Sequence, residues 1–202
     1  MSTAPRPLDA STAAGGPIGV LALRLADYWE LSKPRIVILE LIVAAVAAFL
    51  AAPYAFDAVT VLHALAATAL IAGSASVANQ LLEIRVDARM PRTADRPLPA
   101  GRVSRLEAVG LAVAGLVVGV TWLIYRVNTL TAALGLASWL LYVVAYTPLK
   151  TRSSFNTTVG AVAGAIPILM GWTAGGGPLN LTAWSLAGVL FLWQFPHFMA
   201  IA

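Results

Sequence analysis

Three side chains that can bind a cation follow one another at intervals of four residues: Asn79, Glu83 and Asp87. On an α-helix four residues make slightly more than one turn, so these side chains share one face over about 12 Å. The two carboxylates repel each other unless a cation lies between them. Such oxygen ligands bind Mg²⁺ when substrate phosphates complete its coordination shell. The spacing therefore predicts a magnesium site.

Four arginines accompany these side chains at spacings of four, three and four: Arg85, Arg89, Arg92 and Arg96. Pro91 and Pro97 interrupt a helix here, so we expect the helix to end near Met90 and a structured loop to follow. Guanidinium groups bind phosphate oxygens through two parallel hydrogen bonds. Carboxylates for Mg²⁺ beside arginines for phosphate predict a diphosphate-binding site.

The same residues have a simpler interpretation. Membrane proteins accumulate arginine in cytoplasmic loops without any catalytic role, and Glu83 and Asp87 could be salt-bridge partners of those arginines. Polar side chains that begin with Asn79, inside the membrane boundary, favour a functional site. Both interpretations stay open on spacing alone.

A second group of polar residues lies at the connection between the fourth and fifth apolar stretches: Tyr146, Thr147, Lys150, Arg152 and Asn156. It falls on the same side of the membrane as the arginines, so it could supply phosphate ligands to the same pocket. The alternative is an interfacial belt of aromatic and cationic side chains.

Isolated ionisable residues occur within the apolar stretches. His197, four residues after Trp193, could ligate iron or act as a base, and it could equally be a hydrogen-bonded structural histidine. His63 and Glu40 also lie in apolar sequence. For Glu40 the sequence leaves open a partner-bound or a cavity-facing role.

The elements that position these residues must be membrane helices. The chain has 202 residues, of which 59% are hydrophobic and 11% charged, and its mean hydropathy is +0.82. Soluble domains carry about 25% charged residues, so this composition excludes a disordered chain and a nucleic-acid-binding domain. Because the chain has no cysteine, disulfides and thiolate metal sites are excluded as well.

Six stretches are long and apolar enough to span a bilayer: 36–52, 58–78, 106–125, 128–147, 156–175 and 181–202. Pro34 suits a first helical turn, Asp57 can cap the second span, and Ser104 with Glu107 forms a capping-box pattern before the third. The sequence predicts an all-α, polytopic helical membrane protein.

Basic residues predict the orientation of the spans. Arg126 is the one basic residue predicted for the outer side, which leaves twelve of the thirteen lysines and arginines on the opposite face. The amino terminus and the predicted site are therefore expected in the cytoplasm. Residues 1–30 lack a signal-peptide pattern and are expected to form a poorly ordered cytoplasmic tail, and residues 31–202 the membrane domain.

Several motifs together resemble the UbiA superfamily of intramembrane aromatic prenyltransferases, and within it the protoheme IX farnesyltransferases. The first is the spacing Asn79-x-x-x-Glu83-x-x-x-Asp87 with the run Arg92-Thr-Ala-Asp-Arg-Pro-Leu-Pro-Ala-Gly-Arg102. The others are Ser32-Lys-Pro-Arg35, Tyr146-Thr-Pro-Leu-Lys150 with Asn156 and Gly164-Ala-Ile-Pro167, and Trp193-Gln-Phe-Pro-His-Phe198. The resemblance runs from about Leu31 to the last residue.

The resemblance implies a helical bundle around a central cavity, in the cell (inner) membrane. It implies that farnesyl diphosphate is cleaved with Mg²⁺, that farnesyl is transferred to the vinyl group of heme b, and that water completes the hydroxyl of heme O. It further implies downstream partners in heme A synthase or terminal oxidase assembly.

The resemblance also implies roles for individual residues. Asn79, Glu83 and Asp87 would be the catalytic residues and the metal ligands. The diphosphate would be bound by Lys33, Arg35, Arg92, Arg96, Lys150 and Arg152. The acceptor would contact Tyr146, Asn156, Trp193 and His197.

Two departures from the family pattern are visible. Glu83 stands where the wider superfamily usually has aspartate, which keeps the charge and changes the ligand geometry. The family has about nine membrane helices, and its second aspartate-rich motif follows the sixth. We therefore expect this chain to be incomplete at its carboxyl end and inactive by itself.

Two other functions remain open. A prenyltransferase for another aromatic acceptor, such as a quinone precursor, would share the diphosphate machinery. A membrane transporter could use Glu40, Glu83 and Asp87 as an ion path, although the repeated halves typical of transporters are not visible in the sequence.

Overall fold

The computed structural model describes residues 17–150, 153 and 155–201, and within them the secondary structure is helical. The helices are α1 Pro17–Leu31, α2 Pro34–Leu50, α3 Ala52–Ala55, α4 Ala58–Asp87, α5 Arg105–Arg126, α6 Thr129–Leu140, α7 Thr147–Leu149, α8 Phe155–Ala174 and α9 Leu181–Ile201. A π-helical segment, Leu141–Tyr146, joins α6 to α7. The all-α prediction is confirmed.

Five stretches of the described chain are long and apolar enough to cross a bilayer: Pro34–Tyr54, Ala58–Asp87, Arg105–Arg126, Thr129–Leu149 and Phe155–Ala174. They coincide with the first five predicted spans, and the protein is a multi-pass membrane protein. The sixth predicted span corresponds to α9, which is not among these five.

The helix starts follow the local sequence as predicted. Pro34 occupies the first turn of α2. The Asp57 carboxylate accepts a hydrogen bond from the Thr60 amide at 2.9 Å and caps α4. Ser104 and Glu107 form a complete capping box at the start of α5. Each cap binds amide groups that the first turn of a helix leaves without partners.

Small residues allow the membrane helices to pack closely around α4 and α8. A Cβ atom added to Gly119 of α5 would lie 2.9 Å from the carbonyl oxygen of Ala67 in α4. At Gly171 of α8 it would collide with the carbonyl group of Ala44 in α2. Close backbone approach is what glycine permits in membrane helix pairs. As a result α4 packs against both α2 and α5, and α8 packs against α2.

The amino-terminal region differs from the prediction. Pro17–Leu31 is a helix rather than a poorly ordered tail, and residues 1–16 lie outside the described part of the chain. Leu31, at the end of α1, is fully buried and packs with Leu98 and Val103 of the α4–α5 connection. The residues that bury Leu31 lie far along the chain, and the sequence of this segment therefore does not reveal the helix.

The α4–α5 connection is a structured loop, as predicted. Helix α4 ends at Asp87, three residues before the predicted end at Met90. The Val103 amide then donates to the Pro97 carbonyl oxygen at 3.1 Å, which closes the loop. This packed loop determines where its arginines lie.

Candidate functional site

Three cationic side chains at one end of the bundle each contact an oxygen-bearing side chain of α4. Lys33 Nζ donates to Asn79 Oδ1 at 2.8 Å, Lys150 Nζ lies 3.0 Å from Glu83 Oε1, and Arg96 Nη1 lies 2.9 Å from Asp87 Oδ2. We call these six residues the polar cluster. The cations come from three different segments, so the fold itself brings them together.

Burial within the polar cluster follows a gradient. Asn79 and Asp87 are each 2% exposed, whereas the side chains of Arg96 and Lys150 are 27% and 47% exposed. The α4 acceptors therefore lie inside the protein, and the cations cover them from the mouth of the bundle. Burial strengthens these charge interactions because water screens them less.

Lys33 is held in an unusual backbone conformation. It precedes α2 with φ 51° and ψ 60°, in the left-handed region that non-glycine residues rarely adopt. The preceding turn is fixed because Gln80 Nε2 donates to the Leu31 carbonyl oxygen at 2.7 Å. Strained backbone of this kind occurs mostly at functional sites. Here it accompanies the contact of the Lys33 ammonium with Asn79.

The surroundings of Lys33 lower the pKa of its ammonium group. Burial, and then the charges of Arg96 and Lys150, lower the pKa of Lys33 to about 8. Glu83 and Asp87 act in the opposite direction but do not cancel the effect. Lys33 is thus surrounded by positive charge that an added anion would offset.

Asp87 and Arg96 are positioned by the start of the loop. Thr93 Oγ1 donates to the Asp87 carbonyl oxygen at 2.8 Å, which folds the chain back onto the end of α4. Thr93 and Pro97 flank this turn and are buried. Arg96 therefore reaches the Asp87 carboxylate from a packed segment rather than from a free loop.

The π-helical segment completes the wall of the cluster. Thr147 Oγ1 donates to the Tyr142 carbonyl oxygen at 2.8 Å and accepts from Asn79 Nδ2 at 3.1 Å. The rings of Tyr142 and Tyr146 stack with centroids 5.4 Å apart. Tyr142 is also close enough to Glu83, Arg96 and Glu40 for their charges to act on its hydroxyl group. The stacked rings border the cluster on its inner side.

Other predicted site residues lie outside the polar cluster. Arg35 and Arg92 are exposed, and no described residue forms a hydrogen bond or ion pair with their guanidinium groups. Asn156 accepts a hydrogen bond from its neighbour Thr157. Arg152 lies outside the described residues. These placements leave Lys33, Arg96 and Lys150 as the cations that the fold gathers.

The two histidines lie at opposite ends of the bundle. His197 stacks on Trp193 with ring centroids 4.7 Å apart, toward the end of α9. His63 lies near the start of α4, where Trp122 Nε1 donates to its Nδ1 at 3.2 Å. The second arrangement is remote from the polar cluster.

The donor set of α4 fits a hard cation in its chemistry. Asn79, Glu83 and Asp87 offer oxygen atoms from one helix face, which is what Mg²⁺ binds together with phosphate oxygens. Within the described residues no three His, Cys, Asp or Glu side chains form a group that could hold a metal alone. Further oxygen ligands would have to come from a bound phosphate or water.

The salt-bridge interpretation of these residues is also visible in the structure. Asp87 pairs with an arginine of the loop, as that interpretation expects, whereas Glu83 pairs with Lys150 from a different connection. Two residues of the site were not anticipated in their structural roles: Gln80, which fixes the Lys33 turn, and Tyr142, which lines the inner side. Gln80 follows Asn79 directly, and its position at the membrane boundary was the available signal.

The sequence of the chain is similar to those of known proteins. Residues 41–202 match the UbiA prenyltransferase family. A protoheme IX farnesyltransferase of Rhodopirellula baltica is 48% identical over 174 residues, which cover 86% of this chain and 61% of that protein. The human mitochondrial protoheme IX farnesyltransferase is 46% identical over 169 residues, 83% of this chain and 38% of that protein. The chain thus spans about three fifths of the length of the bacterial relative.

Two solved structures share the fold at low sequence identity. A structure reported for digeranylgeranylglyceryl phosphate synthase in membranes has a TM-score of 0.75 with 18% identity, over 84% of this chain and 59% of that one. The apo structure of a UbiA homologue from Aeropyrum pernix K1 has a TM-score of 0.67 with 23% identity, over 78% of this chain and 59% of that one. Both support the helical bundle.

Proposed function

We propose that this chain, which belongs to the UbiA prenyltransferase family, transfers farnesyl from farnesyl diphosphate to the vinyl group of heme b. The products are heme O and diphosphate. The names of relatives at 46% and 48% identity, protoheme IX farnesyltransferase, support this choice of donor and acceptor. Water supplies the hydroxyl group of the product. The relatives' names do not favour a quinone precursor or a transporter.

The observation that carries the proposal is the polar cluster. Lys33, Arg96 and Lys150 converge on one face of α4 from three separate segments. A diphosphate needs several fixed cations and, through a metal, carboxylate oxygens. An arrangement that alternates cations with oxygen donors provides both in one place.

In this mechanism the three cations bind the diphosphate oxygens. Charge accumulates on the diphosphate as the allylic carbon–oxygen bond breaks, and cations that are already in position stabilise that charge without reorganisation. Asn79, Glu83 and Asp87 would hold Mg²⁺, which when bound neutralises further phosphate charge. Arg35, Arg92 and Arg152 are proposed to contribute further contacts to the phosphate oxygens.

The inner wall protects the allylic cation. The stacked Tyr142 and Tyr146 rings present aromatic faces, which attract a positive charge. Apolar helix faces keep bulk water away from this cation until it reacts. Tyr146, Asn156, Trp193 and His197 are proposed to contact the heme acceptor, with Trp193 and His197 stacked at the end of α9.

Location and partners follow the same proposal. The site lies on the cytoplasmic side of the inner membrane, and so does the amino terminus, because the basic residues are concentrated on that side. The product would pass to heme A synthase or to terminal oxidase assembly. By itself the 202-residue chain is expected to bind diphosphate without turnover, because its described residues supply only part of a metal site.

A transfer assay tests the proposal. Membranes that carry the full-length protein would be incubated with heme b and labelled farnesyl diphosphate, and heme O would be measured by mass spectrometry. We expect Asp87→Asn to lower the rate about 100-fold or more, since it removes one charge from the metal ligands. Asp95→Asn is the matched control, because Asp95 is an exposed acid of the α4–α5 loop that follows Asp87.

The outcomes are distinct. Heme O formation at an unchanged rate with Asp87→Asn would contradict the metal role of Asp87. Prenylation of a quinone precursor instead of heme b would contradict the acceptor, and ion flux in liposomes without any prenyl transfer would favour the transporter. Elution of the Asp87→Asn protein as a single species in detergent would show that it folds.

A further inference from the structure

Helix α1 is attached to the rest of the protein along one edge. Tyr28 Oη donates to Glu107 Oε1 at 3.1 Å, and Arg24 Nη1 donates to the Arg102 carbonyl oxygen at 2.7 Å. The Arg102 guanidinium in turn contacts Asp27 at 2.7 Å and Glu30 at 2.9 Å. The charged side chains of the helix are thus all engaged with the α4–α5 loop or with the first turn of α5.

Another face of α1 is apolar and uncovered by the described residues. Ile18, Leu21, Leu25 and Trp29 are 85%, 60%, 57% and 64% exposed. Their spacings of three, four and four residues place them in one stripe along the helix. We call these four residues the α1 stripe. Such a contiguous apolar surface marks an interaction site rather than a solvated one.

The position of α1 identifies what the stripe meets. The helix ends three residues before the membrane helix α2, and it contacts Glu107 in the first turn of the membrane helix α5. It therefore lies at the level where these helices enter the bilayer. Leu106, beside Glu107, is itself 82% exposed, so α5 also presents an apolar side chain that the described residues leave uncovered at this level.

We propose that α1 is an interfacial helix whose stripe is buried at the boundary between lipid headgroups and acyl chains. Burial of the apolar stripe, rather than attraction to anionic lipid, holds the helix at this boundary. The helix carries one basic residue, Arg24, and two acidic residues, Asp27 and Glu30, whereas helices that select anionic membranes are rich in lysine and arginine. This placement would hold the Arg102 loop and the turn that leads into Lys33.

Site-directed fluorescence tests this placement. The chain has no cysteine, so a single cysteine at Leu25, in the stripe, can carry an environment-sensitive fluorophore. Leu23→Cys is the matched control, since Leu23 is similarly exposed at 52% and lies on the other side of the helix. Both variants replace exposed side chains, so the fold is retained.

The labelled proteins would be reconstituted in phosphatidylcholine vesicles that contain nitroxide-labelled acyl chains. We expect quenching at Leu25→Cys to exceed that at Leu23→Cys about threefold or more, because nitroxides quench only fluorophores that reach the acyl region. Replacing part of the lipid by phosphatidylglycerol should leave the ratio unchanged.

Three results would overturn the proposal. Equal quenching at the two positions would show that the stripe does not select the bilayer. A blue-shifted but unquenched fluorophore at Leu25→Cys would show that protein, from this chain or a second copy, covers the stripe. Quenching that appears only with phosphatidylglycerol would show that anionic lipid controls the attachment.

Discussion

Lys33 combines a buried ammonium with neighbours of the same charge, and this has a consequence for pH. Its pKa of about 8 lies below the usual value of 10.5, so the folded protein without ligand loses this proton as the pH rises through about 8. A diphosphate favours the charged form. Binding therefore takes up a proton above that pH, and affinity should decline.

Affinity for a non-hydrolysable farnesyl diphosphate analogue measures this effect. Between pH 8 and 10 we expect binding to weaken about tenfold more in the native protein than in Lys33→Arg, because arginine keeps its charge throughout this range. The comparison cancels the titration of the ligand itself. Equal pH profiles for the two proteins would show that Lys33 does not contact the diphosphate.

The lowered pKa of Lys33 has the opposite effect on the stability of the fold: stability increases with pH, whereas affinity for the diphosphate decreases. Because the pKa of Lys33 is lowered in the folded state, the charged lysine destabilises the protein below about pH 8. This cost disappears as the pH rises toward 10.5, where the unfolded chain also loses the proton. Ligand binding and folding therefore make opposite demands on this residue.

Glu40 is a second ionisable residue that destabilises the folded protein. It lies on the face of α2 that carries buried Val37 and Ala44, and no described residue forms a hydrogen bond or ion pair with its carboxyl group. A carboxyl group so placed inside a membrane segment is costly. We expect Glu40→Gln to raise the free energy of unfolding by about 1 kcal/mol or more.

Melting curves in detergent would measure this change, with Asp95→Asn as the control that should leave the midpoint unchanged. A lower melting temperature for Glu40→Gln would mean that the carboxylate has a stabilising partner. Because costly polar groups persist where function needs them, we also expect the variant to lose transfer activity.

At the residue scale the sequence indicated one half of the site. The common face of Asn79, Glu83 and Asp87 followed from helix geometry alone. The loop arginine that pairs with Asp87 was one of the expected partners, but the partner of Glu83 was not, because Lys150 is separated from Glu83 by two membrane helices and the spacing of residues cannot show which loops meet. The π-helical segment that places Thr147 beside Asn79 likewise has no sequence signature of its own.

At the scale of helices, prediction succeeded where local chemistry decides. The caps of α4 and α5 depend on Asp57 and Ser104, which act within three residues of their own position. The fold of α1 depends on distant partners instead, because its polar edge is completed by Arg102 and Glu107. No pattern within residues 17–31 could show those contacts.

The contact between α2 and α8 yields a stability prediction. Gly171→Ala should lower the free energy of unfolding by about 1–3 kcal/mol, because its new methyl group would meet the Ala44 carbonyl group and push the helices apart. Gly188→Ala in α9 is the matched control, since no atom lies within 4 Å of the added carbon. Thermal unfolding in detergent distinguishes them.

The control should be neutral or stabilising by up to about 1 kcal/mol, because alanine favours a helix more than glycine does. Similar melting temperatures for Gly171→Ala and Gly188→Ala would show that α2 and α8 can separate without cost. That result would contradict the close packing described for this pair.

For the whole molecule, the distribution of basic residues predicts the orientation in the membrane. Because the native chain lacks cysteine, single cysteines can report it directly. Met90→Cys, in the α4–α5 loop, and Leu181→Cys, at the start of α9, replace residues that are 38% and 83% exposed. They lie at opposite ends of the bundle.

A membrane-impermeant maleimide applied to intact cells should label Leu181→Cys and leave Met90→Cys unmodified until the cells are permeabilised. This follows because loops rich in lysine and arginine remain in the cytoplasm. Labelling of Met90→Cys in intact cells would reverse the orientation and place the polar cluster outside.

The π-helical segment Leu141–Tyr146 gives the molecule an unexpected route to change. A π turn holds one residue more than a regular turn, so deletion of Val144 would convert the segment to a regular turn and leave the residues after it near their present orientation. The Lys150 ammonium would then stay beside Glu83. A codon lost at this segment is thus tolerated in evolution, whereas the same loss in a regular helix would turn every later side chain by about 100°.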